Sequence, residues 1–112
     1  MLRNIAKTAL AAAAVAGACL TVNAQQTASV SISVKNHQFQ PREIHAQANV
    51  PVELHVKNLD SAPMEFESVS LRVEKVVTGN GEGVIRLRPL APGRYEFFDD
   101  FHPQTRGALI AK

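Results

Sequence analysis

From residue 29 onward, several short segments alternate apolar and polar residues at every second position, with turn residues interrupting about every eight to twelve residues. In SVSISVK, Val30, Ile32 and Val34 share one side while Ser29, Ser31 and Ser33 share the other. In NVPVELHVKN, Val52, Leu54 and Val56 face one way and Glu53, His55 and Lys57 the other. Successive strand residues point to opposite faces, so each segment has one face that only a second sheet can cover. EIHA reads as a short strand around Ile44, with Phe39 tucked into the core before it and Pro41 ending the preceding ladder. MEFESVSLRVEKVV reads as one run of mixed period, and VIRLRPL, YEFF and GALIAK as further strands. NLDSAP, TGNGEG and the Pro92-Gly93 pair supply the turns. No stretch sustains a helical period for more than about two turns. The pattern predicts an all-β fold, an antiparallel Greek-key β-sandwich of about seven strands.

The amino terminus does not belong to that pattern. Arg3 and Lys7 precede an apolar run from Ala9 to Leu20, and Val22 to Ala24 place small residues where a signal peptidase reads. Residues 1–24 therefore read as a signal peptide cleaved after Ala24, and 25–112 as the mature domain, periplasmic and not membrane-spanning. Lipid attachment at Cys19 competes, but Ala16 stands where such sites want Leu. Removing Arg3 and Lys7 from the 12 basic residues leaves them balanced against 10 acidic ones. Without a basic stripe or a stacking array, nucleic-acid binding has no support. Cys19 is the chain's single cysteine, so the mature domain forms no disulfide. A domain of about 88 residues buries about 60–65% of its unfolded surface, and a bound metal would add to its stability.

Chemistry-bearing residues gather in YEFFDDFHPQ. Asp99 and His102, three apart on a tight loop, can converge on one ion, and neutral imidazole is the commonest transition-metal ligand. Asp100 points the other way if the strand alternates, and reads as solvated. Glu65 and Glu67 share one strand face, as a solvated face or an acidic landing place for a cation. Met64 follows Pro63 at a strand start, where a lone methionine is commonly core filler. His55 alternates with core residues, His37 lies in a break between strands and His45 flanks a short strand, so none of the three is expected to ligate. No Ser-His-Asp order, phosphate loop or metalloprotease helix is present to support hydrolysis.

FQPREIHAQANVPVELHVKNLDSAP together with LAPGRYEFFDDFHPQTRGALIA resembles the two halves of a cupredoxin. That resemblance implies copper ligands after the Asn-terminated strand and after the Pro-Gly-x-Tyr turn. Met64 stands where the family has its first histidine, Asp99 where it has cysteine, and His102 where it has the second histidine. Arg106 and Gly107 occupy the part of the loop that carries the axial methionine. Loss of the thiolate removes the blue copper–sulfur bond; a carboxylate favours Cu(II) and a thioether tolerates Cu(I). The implied metal set is Met64, Glu65, Glu67, Asp99 and His102, with copper as Cu(II)/Cu(I).

MEFESVSLRVEKVV followed by that ending is similar to the standalone cupredoxin component of Ftr-type ferrous-iron uptake systems, and to the cupredoxin domain of EfeO-type proteins. The similarity implies that Fe(II) is a substrate, oxidised or handled before transport, with Glu65, Phe66, Glu67 and Glu74 as the shared residues. It implies an accessory ferrous-iron oxidase partnered with an iron permease or a periplasmic iron-binding protein. Two other readings stay open: a copper carrier or buffer, and a metal-free docking module.

Overall fold

A computed structural model describes residues 26–112; residues 1–25, with the expected leader, cleavage site and Cys19, lie outside the described part. Among the described residues nine strands form: β1 (Ala28–Lys35), β2 (Gln38–Gln40), β3 (Glu43–Ala46), β4 (Val52–Asn58), β5 (Met64–Ser68), β6 (Val73–Val77), β7 (Glu82–Leu87), β8 (Gly93–Asp99) and β9 (His102–Ala111). They make two sheets, ordered β2-β1-β4-β7 and β3-β9-β8-β5-β6. The all-β sandwich is as expected. The sheets are mixed rather than antiparallel, because β1 pairs parallel with β4 and β3 parallel with β9.

Two strands more than expected appear, for local reasons. QFQ pairs back on β1 through the two-residue connection Asn36-His37. The long mixed-period run splits at Ser68, whose hydroxyl donates to the Glu96 carbonyl at 2.6 Å and accepts the Leu71 N–H at 3.1 Å. That turn ends on Arg72 at φ 59°, and the chain returns as β6. The change of period within the run is therefore a hairpin.

The inner faces of the two sheets meet over Ile32, Val34, Leu54, Val56, Phe66, Phe97 and Leu109. Phe39 joins them as expected, edge-on to Phe97 with ring centroids 4.9 Å apart, while Phe66 stacks on Phe97 at 4.8 Å. Such aromatic packing contributes about 0.5–1.5 kcal/mol per pair beyond burial. Gly107 is required here, since a Cβ on it would lie 2.7 Å from both the Phe97 ring and the Arg42 carbonyl oxygen.

Between β8 and β9 the ladder is irregular. Phe98 pairs with Arg106, yet Asp99 pairs with His102, so Pro103, Gln104 and Thr105 have no counterpart on β8. A bulge accepts Pro103, which has no N–H for the ladder. The expected metal-binding loop thus shrinks to Asp100-Phe101, and β9 begins at His102 rather than near Gly107.

Candidate metal centre

Asp99 is the last residue of β8 and has no exposed surface. Its Oδ1 accepts the backbone N–H groups of Glu65 and Phe101, both at 3.0 Å, and its Oδ2 lies 2.9 Å from Nδ1 of His102. A carboxylate can only accept, so this pair places the imidazole proton on Nδ1. Nε2, on the opposite edge of the ring, is left with its lone pair, and the His102 side chain is 33% exposed. A ligating histidine commonly donates its other ring nitrogen to a carboxylate, which fixes tautomer and orientation.

The five expected metal residues do not form one group. Met64 is 1% exposed and belongs to the hydrophobic core. Along β5, Met64, Phe66 and Ser68 are buried while Glu65 and Glu67 are half-buried, so the two glutamates lie on the sheet's other face. Asp99 and His102 meet each other; Glu65 and Glu67 meet Asp100 instead, with one carboxylate oxygen from each of the three within 4.8 Å of the others. Asp100, read from sequence as merely solvated, is the third member of that acidic group. Glu74 faces Glu67 across the β5–β6 pair. Crowding shifts both glutamates. The Glu65 carboxyl is raised above its usual value by desolvation first, then by Glu74 and Asp100. Glu67 is raised by desolvation first, then by Asp100 and Glu74.

Nothing in the residue pattern links His37 to His102, yet their rings lie with centroids 4.1 Å apart, tilted by 34°. The Asn36-His37 connection reaches this place because Asp60 accepts the Asn36 N–H at 2.7 Å and the His37 N–H at 3.0 Å. Those bonds, the His37 N–H first, hold the Asp60 carboxyl below its usual value against an opposing effect of burial. Both histidines border a cleft shared with Phe39, Arg42 and Thr105. His55 and His45 are occupied elsewhere, with Nε2 at 3.0 Å from Glu53 and 3.6 Å from Glu43.

The sandwich, the Pro-Gly-x-Tyr turn and the buried end of β8 define a cupredoxin-like protein. The chain matches the family described as the cupredoxin-like domain over residues 7–111, and it belongs to that family. It is 38% identical over 81 residues to an uncharacterized protein of Rickettsia prowazekii (strain Madrid E). That match covers 72% of this chain and 65% of the relative, so the chain spans less than two thirds of the relative's length. Among solved structures, it is similar to the metal-binding domain of the Streptococcus pneumoniae Cu(I)-exporting P-type ATPase CopA, determined with Cu(I). There the TM-score is 0.64 at 17% identity, covering 80% of this chain and 99% of that one. A purple cupredoxin from Nitrosopumilus maritimus aligns with TM-score 0.56 at 17% identity, over 76% of this chain and 99% of that one. Amicyanin from Paracoccus versutus aligns with TM-score 0.59 at 16% identity, over 75% and 81%. At these identities the solved structures speak for the fold alone.

Proposed function

We propose that this protein is an exported, periplasmic copper-binding cupredoxin that oxidises or handles Fe(II) during iron uptake. The observation that carries the copper reading is the buried Asp99 carboxylate against Nδ1 of a partly exposed His102. No thiolate is available in the described part, since the single cysteine is Cys19, so a copper–sulfur site does not fit. An imidazole backed by a carboxylate does fit copper in a pale, non-blue site. His102 is the ligand and Asp99 the residue that positions it, while Met64 belongs to the core. Bound copper would supply one-electron chemistry, with Cu(II) able to take one electron from Fe(II) and Cu(I) able to pass it to a partner acceptor or to oxygen.

Glu65, Glu67 and Asp100 are the proposed landing place for Fe(II), since hard oxygen ligands suit that ion. Export rests on the leader-like residues 1–24, and the iron role on the resemblance of the Glu-aromatic-Glu strand to ferrous-uptake cupredoxins. An iron permease or a periplasmic iron-binding protein is the proposed partner.

Titration of the mature protein with Cu(II), followed by mixing with Fe(II), tests the reading. Faster Fe(III) formation than in the copper-free control supports it. Copper binding without acceleration leaves a carrier, and a wild type that takes up no copper removes the reading altogether.

A further inference from the structure

The Asn36-His37 connection is built in an unusual way. Both residues have positive φ, 52° and 57°. A two-residue hairpin of this kind normally puts glycine second, because a Cβ is disfavoured there. His37 occupies that second position, and its backbone is held from two directions. Asp60 accepts its N–H at 3.0 Å, and the buried Thr105 hydroxyl donates to its carbonyl at 2.6 Å. Asp60 is itself anchored, since its N–H donates to Oδ1 of the buried Asn58 at 3.0 Å. Residues held in sparsely populated backbone regions cluster at functional sites.

What this clamping achieves is a ring laid against His102, centroids 4.1 Å apart. Each imidazole has a carboxylate on its Nδ1 side: Asp99 at 2.9 Å for His102, and Asp60 at 3.8 Å for His37. The second distance is too long for a hydrogen bond but short enough to orient the ring electrostatically. The His37 side chain is 52% exposed, so nothing seals its far edge. Two nitrogens each about 2.0 Å from one ion lie at most about 4 Å apart. Rings this close need only a turn of the half-exposed His37 side chain to bring one nitrogen each within that reach.

We propose that His37 is a second imidazole ligand of the metal held at His102, making a two-histidine copper site with one carboxylate behind each ring. This rests on the reading of His102 as the copper ligand and adds the residue that closes the site from the other sheet.

The test is Cu(II) titration of the mature protein by competition with a chelator of known affinity, combined with electron paramagnetic resonance to count coordinated nitrogens. His37→Gln, His37→Gly, His102→Gln and the remote His45→Gln are compared with wild type. His37→Gln is expected to weaken Cu(II) by at least about tenfold and to remove one nitrogen from the spectrum, while His45→Gln changes neither. His37→Gly suits the positive φ, so it should keep or raise Tm while losing copper affinity, which a merely structural role would not produce. Wild-type affinity and nitrogen count in both His37 variants, with His102→Gln defective, would overturn the two-histidine site and leave His102 as ligand. Wild-type affinity in His102→Gln would overturn both.

Discussion

Asp99 stands where the family resemblance puts a sulfur ligand, and in the structure it is buried at the end of β8. Both of its oxygens are occupied, one by two backbone N–H groups and one by the His102 ring. Its proximity to His102 was legible in the sequence, because three residues on a tight turn leave two side chains little choice. The same alternation that turned Asp99 inward turned Asp100 outward. The His37–His102 contact was not legible, because it depends on how a hairpin of one sheet is tied by Asp60 and Thr105 to distant segments. Met64 had two readings from sequence, core filler and metal ligand, and the structure buries it in the core. Met64→Leu, a volume-conserving swap, should therefore cost less than about 1.5 kcal/mol in denaturant unfolding. Its copper affinity should equal that of wild type. A clear loss of affinity would return Met64 to the set of metal ligands.

At the scale of the element, β5 carries both faces of the proposed chemistry. Its inner face packs Phe66 against Phe97, and its outer face lines up Glu65 and Glu67 opposite β6. The two-residue period made that division readable from sequence. The end of β5 was not readable, because MEFESVSLRVEKVV contains no glycine or proline to mark its turn and a serine side chain makes the stop instead. Glu67 and Glu74 sit directly opposite, and like charges in that position are destabilising. The Glu65 and Glu67 carboxyls are raised on folding. The folded state therefore binds protons more tightly than the unfolded chain. The stability this contributes is complete below the unfolded value near 4.5 and is lost as pH rises through the folded value. Glu67→Gln should consequently melt higher than wild type at pH 7, with the gap closing toward pH 4. Parallel thermal melts across that range check it; a variant that melts lower at pH 7 would show that the charge is not a burden there.

For the molecule as a whole, the described residues 26–112 have only their sandwich core and, without a cysteine among them, no disulfide to hold them. The two-sheet architecture was legible because strands that are apolar on one face must be covered. The parallel β1–β4 and β3–β9 pairings were not, since alternation records which face is buried and not which strand lies alongside. A small domain of this kind gains visibly from any ligand that binds only the folded state. Copper at about a hundred times its dissociation constant should add about 2.7 kcal/mol to the unfolding free energy. Denaturant titrations with and without copper check this, and His102→Gln should show no such gain.

The measurement that bears most directly on copper at His102 compares Cu(II) affinity of wild type and Asp99→Asn. Asparagine keeps an oxygen for the Glu65 and Phe101 N–H groups, but presents its amide N–H to Nδ1. The imidazole proton must then move to Nε2, the nitrogen assigned to the metal. A drop of about ten- to a hundred-fold, with the circular dichroism spectrum unchanged, is expected. Equal affinity in the two proteins would contradict the assignment of copper to Nε2 of a histidine positioned by Asp99.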